Sequence, residues 1–417
     1  MKLFSRLLLI VISILVAESV SAARFSCSDG DVTCLIASIN SANQRSGNNK
    51  ILLGPGVYRL TAIDNTMDGN IDLPVIVRDI TIRATSTTEP TVIEDDTGSA
   101  TGIGLRSRLF LVSAFGNLTL DGLVLQSVSV VEFDLIRNLG TLSIQNSIIT
   151  GINVRNPDGT SPIDNFGNLT ISHSVMDFNR GEHGGGGAIT NETGGFASIE
   201  HSTIANNFNF PGAIVNRGSL SINKSSLVHN SSDLVQPGGA ILNLGGTVDI
   251  VSSTFTRNAA SIGGAVFNNL GTVSILNSTV AENTARFGRA VWNNGGLFRL
   301  QNTIVANNID EGEASENKPD CGSDPTQSVP IVSLGNNVIG DITGCNINLQ
   351  PSDHVGDPGL GQLVADDDES IPGQIYYPIL AGSPAINASD KKACPKRDQL
   401  GNKRVGRCDI GAIEFQE

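Results

Sequence analysis

The feature that most constrains this fold is a ten-residue string that recurs eight times between residues 116 and 305. Successive copies begin 23 to 28 residues apart. Within each copy apolar and polar residues alternate, as in Leu169 and Ile171 against Thr170 and Ser172, which is the period of a half-buried strand. The copies are GNLTLDGLVL, GTLSIQNSII, GNLTISHSVM, GFASIEHSTI, GSLSINKSSL, GTVDIVSSTF, GTVSILNSTV and GLFRLQNTIV. Fixed strands joined by turns of variable length predict an all-β protein, a right-handed parallel β-helix.

Polar residues recur at fixed offsets from this string. In the six copies from Gly167 on, an asparagine follows the central aliphatic residue by eight positions, and a hydroxyl residue follows it by three. Equivalent positions of stacked parallel strands lie roughly 4.8 Å apart, so asparagines, which both donate and accept, can form a ladder. The predicted ladder asparagines are Asn179, Asn207, Asn230, Asn258, Asn283 and Asn308. A second asparagine recurs ahead of the next string, at Asn191, Asn216, Asn243, Asn268 and Asn293. The sequence does not carry the helix-bearing consensus of leucine-rich repeats.

The first 22 residues have the order of a secretory signal peptide. Lys2 and Arg6 precede the apolar run from Leu7 to Val16, and small residues before Ala23 offer a cleavage site. The run is too short to span a bilayer, and a buried N-terminal helix is the alternative. We expect a secreted or cell-surface protein, in the periplasm or on the outer membrane if the cell is Gram-negative. The mature chain is expected to have no membrane span.

The sequence divides into four parts. Residues 1–22 form the signal peptide, 23–60 an N-terminal cap with the first strands, 61–308 the coils, and 309–417 an acidic insertion followed by a distinct C-terminal region. Asp31 is expected to cap a short helix with Leu35, Ile36 and Ile39 on one face. Such a helix would cover the open N-terminal end of the stack, where free strand edges invite aggregation.

Six cysteines accompany this exported chain, and all of them fall outside the repeats. They allow 15 connectivities, so spacing alone does not prove the pairing. Pairing between sequence neighbours is expected, because disulfides stabilise the chain most where the repeat pattern is absent. The expected disulfides join Cys27 to Cys34, Cys321 to Cys345 and Cys394 to Cys408. A zinc site is the competing interpretation, but no Cys-x-x-Cys motif is present.

Three groups of motifs resemble known surface proteins. The GGAI strings and the Phe255-x-x-Asn258 spacing resemble repeats of chlamydial polymorphic outer-membrane proteins. The tail strings GSPAINAS from Gly382, Asp398-Gln399 with Gly401, and DIGAIE from Asp409 resemble the choice-of-anchor Q domain. The segment from Cys34 to Tyr58 resembles the opening of bacterial surface β-helix proteins. The resemblance implies an exported protein with a pectin-lyase-like fold.

Catalytic candidates are few. A lyase or hydrolase on this fold needs carboxylates in outward columns of neighbouring coils, and the columns beside the central aliphatic residue contain none on adjacent coils. The best cluster is Asp177, Arg180, Glu182 and His183, which combines a base, a cation and a glycine-rich loop; a polar turn is the alternative. Arg257 and Glu282 can form a surface ion pair.

No cofactor is expected from these motifs, and no metal site. The acidic runs 310–316 and 366–369 could bind calcium weakly at the surface, although solvated loops explain them as well.

Charge and pattern together favour a binding role. The net charge of −14 disfavours nucleic acid and anionic membranes as partners. It also makes a polyanionic substrate less expected, unless a local basic patch serves one. The first hypothesis is a non-catalytic exported β-helix that acts in adhesion, as a scaffold, or in binding a polysaccharide or cell-surface glycan. The second is a polysaccharide lyase or glycoside hydrolase acting on an extracellular polysaccharide.

Overall fold

The computed structural model describes residues 22–66, 69–97, 107–128, 130–131, 133–155, 161–181, 185–209, 211–233, 235–309, 319–326, 329–364 and 372–416. The predicted signal peptide except its last residue, the two acidic runs, and the candidates Glu182 and His183 lie outside these residues. Within the described ranges, no helix has the length and apolar character needed to cross a membrane.

The described strands wind into a parallel β-helix, which confirms the predicted fold class. A typical coil contributes one strand to each of three long sheets, and each strand pairs in parallel with strands of the neighbouring coils. We call these sheets 1, 2 and 3, with thirteen, twelve and nine described strands. A fourth, four-stranded sheet and two strand pairs lie in the turns between sheets 2 and 3.

Sheet 1 comprises Arg24–Cys27, Asn49–Leu53, Asp79–Ala84, Asn117–Asp121, Thr141–Gln145, Asn168–Ser172, Phe196–Glu200, Ser219–Asn223, Thr247–Val251, Thr272–Leu276, Leu297–Gln301, Ile331–Ser333 and Ile347–Asn348. Sheet 2 comprises Gly56–Leu60, Thr91–Asp95, Val124–Ser127, Ile148–Thr150, Val175–Asp177, Thr203–Ala205, Ser226–Val228, Thr254–Thr256, Thr279–Ala281, Ile304–Ala306, Val338–Ile339 and His354–Val355. Sheet 3 comprises Phe110–Val112, Ile136–Asn138, Ile163–Asn165, Ile189–Asn191, Ile214–Asn216, Ile241–Leu244, Val266–Asn269, Val291–Asn294 and Cys321–Ser323. The smaller sheets comprise Phe208–Asn209, Ser231–Ser232, Ala259–Ile262 and Thr284–Phe287, and the pairs Asn70–Ile71 with Ser107–Arg108 and Val130–Val131 with Asn153–Val154.

Inward-facing aliphatic residues of successive coils stack into one long core. In sheet 1, Ile171 pairs with Ile199, and Ile199 pairs with Ile222. All three side chains are fully buried, and each such burial contributes about 1.5–3 kcal/mol to stability. The alternation in the repeated string is therefore the in-and-out alternation of the sheet.

The six predicted ladder asparagines lie in one column at the corner after sheet 2. Each side-chain amide donates to the side-chain oxygen of the next asparagine at 2.8–3.0 Å. Asp320 ends the column by accepting from Asn308 at 2.8 Å, and a carboxylate, which only accepts, passes no hydrogen bond onward. A second column links Asn138, Asn165, Asn191, Asn216, Asn243, Asn268 and Asn293 at 2.7–2.8 Å.

A helix covers the N-terminal end of the stack. The helix Val32–Asn43 begins at Asp31, whose side chain accepts from the Cys34 N–H at 2.9 Å. Leu35 and Ile39 of this helix are fully buried in the core, and Ile36 packs against it. At the other end, strands of sheets 1 and 2 continue to Val355, so the coil extends past the boundary expected at residue 308.

The C-terminal segment 372–416, which we call the tail, lies against the outer face of sheet 2. Its contacts run from Thr203, whose hydroxyl accepts from the Gly373 N–H at 2.8 Å, to Val338, which packs with Ile379. Within the described residues these contacts fall on the C-terminal strands of sheet 2, from Thr203 onward. They do not involve its five N-terminal strands. Disulfides join Cys27 to Cys34, Cys321 to Cys345 and Cys394 to Cys408, as expected from the sequence.

Candidate functional site

The five N-terminal strands of sheet 2 turn one column of polar side chains outward. We call this column the polar strip, and it consists of Arg59, Glu94, Gln126, Thr150 and Asp177, each in register with the next. With a strand spacing of about 4.8 Å, the strip is roughly 19 Å long. The column thus offers a straight, regularly spaced polar surface beside the region that the tail covers.

The buried Glu94 carboxylate holds two neighbouring side chains of the strip, Arg59 and Gln126, in place. Arg59 Nε lies 2.7 Å from Glu94 Oε1, and Arg59 Nη1 lies 3.6 Å from an oxygen of Asp96. Gln126 Nε2 donates to the other Glu94 oxygen. Glu94 is only 3% exposed, whereas Arg59 is exposed and Gln126 is half-buried. The carboxylate therefore orients a guanidinium and an amide whose remaining N–H groups can serve an external ligand.

A buried ionic cluster continues around the corner from the strip. It comprises the buried residues Asp72, Asp95, Arg108, Asp134 and Asp164, together with the half-buried Arg137. Arg108 contacts both oxygens of Asp134 at 3.2 Å through Nε and Nη2. Arg137 bridges Asp134 at 3.3 Å and Asp164 at 3.1 Å. Breaking such a buried pair on one side is strongly destabilising, so this cluster fixes the corner that carries the strip.

Two carboxyl groups of the cluster have strongly raised pKa values. Burial, followed by the negative charge of Asp95, raises the pKa of Asp72 to about 8. Burial, followed by the charge of Asp134, raises the pKa of Asp164 to about 7. Raised carboxyl pKa values often mark catalytic acids. Asp72 and Asp164 are at most 3% exposed, however, so neither reaches a ligand on the surface, and their effect is on stability.

Replacing Asp72 with asparagine is expected to flatten the pH dependence of stability. Because the pKa of Asp72 is about 8 in the folded chain and 3.8 ordinarily, the unfolded chain loses the proton first as pH rises. The stability that the protonated group provides is complete below pH 4 and is lost by about pH 8. The asparagine side chain does not ionise, so the Asp72→Asn variant should gain on the order of 5 kcal/mol over the wild type between these limits.

Urea unfolding of both proteins at several pH values measures this difference. A difference in unfolding free energy that stays constant from pH 4 to pH 8 would contradict the assignment. Asp121→Asn is the matched control, because Asp121 forms an ion pair with Arg83 at the surface.

The catalytic candidates from the sequence are only partly brought together. Asp177 belongs to the polar strip, and Arg180 follows the ladder residue Asn179, with its guanidinium 5.2 Å from the centre of the Phe208 ring. Glu94 and Asp177 stand three strands apart, roughly 14 Å, which exceeds the spacing of about 5–9.5 Å between the two carboxylates of a glycosidase. The strip therefore does not present a hydrolase pair.

The Arg257–Glu282 ion pair is confirmed, with Nε and Oε2 3.1 Å apart. The pair lies near Tyr377 of the tail, whose pKa is raised chiefly by burial and further by the charge of Glu282. The Tyr377 hydroxyl also hydrogen-bonds to Thr256 at 2.6 Å. These surroundings assign the pair to the docking of the tail.

A cleft of about 320 Å³ opens where the asparagine ladder ends. Its lining includes Asn308, Asp320, Asp341 and Asp357. Burial raises the pKa of Asp320 to about 6, and hydrogen bonds from Asn308 and the Asp341 N–H oppose this shift. Across the described ranges, no group of three or more His, Cys, Asp or Glu residues is placed to hold a metal ion.

Sequence reasoning missed Glu94, Gln126 and the buried ionic cluster. The repeated string begins only at Gly116, so the earlier coils could not be aligned from their sequence. The signal for Glu94 was the run Glu94-Asp95-Asp96 at the end of an apolar stretch, and the signal for Gln126 was its position six residues after the central aliphatic residue of the first repeat, the offset of Asp177 in its own repeat. Such a run resembles a solvated loop, whereas in the structure all three residues are buried.

No family model matches this chain, and no curated protein matches it either. Among solved structures, pectate lyase Pel9A is similar, with a TM-score of 0.39 and 13% identity over 95% of this chain and 97% of that chain. The assignment as a parallel β-helix rests on the strand pairing described above.

Proposed function

We propose that this protein is an exported β-helix that binds an extended, hydroxyl-rich glycan along the polar strip and does not cleave it. The strip itself is the main support. It sets a guanidinium, an amide and a hydroxyl at regular spacing on a rigid sheet, where Arg59, Gln126 and Thr150 are in register. Rigid elements position binding groups better than loops do. The three disulfides and the signal-peptide pattern support a secreted or cell-surface location.

Charge and spacing favour binding over catalysis. The strip contains one cation against the carboxylates of Glu94 and Asp177, which favours a neutral glycan over an acidic one. Glu94 is committed to Arg59 and Gln126, and Asp177 lies too far from it for paired carboxylate chemistry. Lyase or hydrolase activity is the rival function, supported by the cluster around Asp177 and Arg180.

The double variant Gln126→Ala/Thr150→Ala should bind xylan about tenfold more weakly than the wild type. Each lost hydrogen bond is worth about 0.5–1.5 kcal/mol, and a tenfold change corresponds to about 1.4 kcal/mol. Isothermal titration calorimetry measures the affinity. The matched control is Ser143→Ala/Gln145→Ala on sheet 1, where these two side chains hydrogen-bond to each other at 2.9 Å.

Two outcomes would overturn the proposal. Equal affinities in the wild type and in both double variants would remove the strip from the binding site. Release of unsaturated or reducing sugars from xylan, pectate or alginate in the presence of calcium, abolished by Asp177→Ala, would establish the rival enzymatic function.

A further inference from the structure

The tail contains a positively charged segment, although the protein as a whole is negatively charged. Residues 391–407 contain seven lysines and arginines and a single acidic residue, Asp398, in a chain of net charge −14. This segment therefore carries +6 and the remainder of the chain −20. A concentration of one sign on an oppositely charged protein creates a strong local potential.

Six of the seven cations are exposed and form what we call the basic patch: Lys391, Lys392, Lys396, Arg397, Lys403 and Arg407. The seventh, Arg404, is buried against Glu414 at 3.2 Å. Asp398, the acid of the segment, is also buried and accepts from the Glu414 N–H at 3.1 Å. Among the described residues, no carboxylate lies within 4.0 Å of any patch cation as an ion-pair partner.

The backbone of the basic patch holds two positive charges opposite each other. An antiparallel backbone bridge sets Arg397 directly opposite Lys403, and like charges in that position repel each other. The disulfide between Cys394 and Cys408 closes the segment. Carbonyl groups hold the arginines, because Arg397 Nη1 donates to Gly401 O at 2.6 Å and Arg407 Nε donates to Ser389 O at 2.7 Å. A bound polyanion would relieve the repulsion without reorganising the patch.

We propose that the basic patch binds single chains of an acidic polysaccharide and so tethers the protein to that polymer. A pocket of about 500 Å³ beside Lys403, lined also by Asn387, Asn402, Val405 and Phe415, favours a sugar ring that carries an acidic group. The pocket combines amide groups, apolar side chains and a cation. The Asp409 and Glu414 carboxylates that also line it are engaged by backbone N–H groups of the tail.

The same observations disfavour other polyanions. Residues 391–407 contain no aromatic residue on which a nucleic-acid base could stack, and Phe415, the one aromatic side chain that lines the adjoining pocket, is half-buried. Val405, at 67% exposed, is the one large apolar side chain in this described segment with high exposure, which is little to insert into a membrane. The −20 charge of the remainder also repels broad anionic surfaces, whereas a single polysaccharide chain can contact the patch alone.

The test compares Lys391→Gln/Lys392→Gln/Lys403→Gln with a control that removes three exposed cations elsewhere, Lys50→Gln/Arg78→Gln/Arg299→Gln. The probes are polygalacturonate, dextran, phosphatidylglycerol vesicles and a short DNA duplex, at several NaCl concentrations. Wild type and control should bind polygalacturonate with a salt-dependent affinity, and the patch variant should bind it at least tenfold more weakly with a shallower salt dependence. All three proteins should have the same melting temperature, since the changed residues are exposed.

Several results would overturn the inference. They are an absence of polygalacturonate binding at low salt, equal losses in the two triple variants, and tighter binding to vesicles or DNA than to polygalacturonate. The strip variant Gln126→Ala/Thr150→Ala should retain polygalacturonate binding, which separates this inference from the proposed function of the strip.

Discussion

Replacing Asn258 with alanine is expected to destabilise the β-helix by roughly 3–5 kcal/mol. The Asn258 side-chain oxygen accepts from both the backbone and the side-chain N–H groups of Asn230 at 3.0 Å. Its amide donates to Leu227 O at 2.9 Å and to Asn283 Oδ1 at 2.8 Å. All these groups are buried in the stack, and each one left without a partner costs about 1–3 kcal/mol.

Asn294→Ala is the matched control for this change. Asn294 also donates to an asparagine of the preceding coil, Asn269, at 2.9 Å, but both side chains are partly exposed. Water can replace the lost hydrogen bond there, so the control should lose less than about 1 kcal/mol. Urea unfolding followed by circular dichroism measures both losses. Similar losses in the two variants would show that burial does not set the strength of the ladder.

Most of the fold could be predicted from the sequence because each coil places the same residue types at the same offsets. The alternation around Ile171 repeats at every coil from Gly116, and the ladder asparagines repeat at every coil from Asn179 to Asn308; the observed registers follow them. The coils outside this range could not be predicted in the same way. Their strands, such as Ile331–Ser333, are held by only a few pairings, and Asp320 takes the place of an asparagine in the ladder.

The candidate site was harder to predict because it depends on register between irregular coils. Asp177 was identified, and Gln126 could have been found in the same way, because each stands six residues after the central aliphatic residue of its repeat. Glu94 lies before the first repeat, so the sequence does not show that it shares this column. The Arg257–Glu282 pair was predictable, since both residues stand at the same offset within regular repeats. Long-range alignment of outward columns is thus visible only where the inward pattern is regular.

The tail motifs show a different limit of sequence reasoning. The strings with Asp398, Gln399 and Asp409 were recognised by resemblance, which gave no role for the individual residues. In the structure they are joined by internal hydrogen bonds: Asp409 accepts from the Asn387 N–H at 2.6 Å and Asp398 from the Asn402 N–H at 2.7 Å. The motif residues therefore stabilise the tail itself and attach it to sheet 2.

Replacing Gln399 with alanine is expected to release the tail from sheet 2 at a cost of about 2–4 kcal/mol in docking free energy. The buried Gln399 amide donates to Gly373 O at 2.8 Å and to Ser226 Oγ and Ile375 O at 3.0 Å. Its oxygen accepts from the Thr254 hydroxyl at 2.6 Å. The Gln399 side chain thus joins two coils of sheet 2 to a separate part of the tail. Alanine at this position leaves the partner groups of Gln399 buried and without these hydrogen bonds.

Amide hydrogen exchange measures the release at the level of single residues. The Ala412 N–H, which donates to Thr279 Oγ1 at 3.1 Å, and the Ile375 N–H, which donates to Ser226 Oγ at 3.2 Å, should exchange at least tenfold faster in the variant. The amide of Ile250, buried in the core, should be unchanged, because local opening leaves the coil folded.

Two further variants identify the cause. Gln399→Glu keeps the volume but turns an acceptor towards the carbonyls of Gly373 and Ile375, so it should release the tail at least as much as alanine does. Gln416→Ala, which removes only a bond to its near neighbour Glu414, should leave exchange unchanged. If Gln399→Glu protects the tail as well as glutamine does, packing rather than the hydrogen bonds of Gln399 holds the tail on sheet 2.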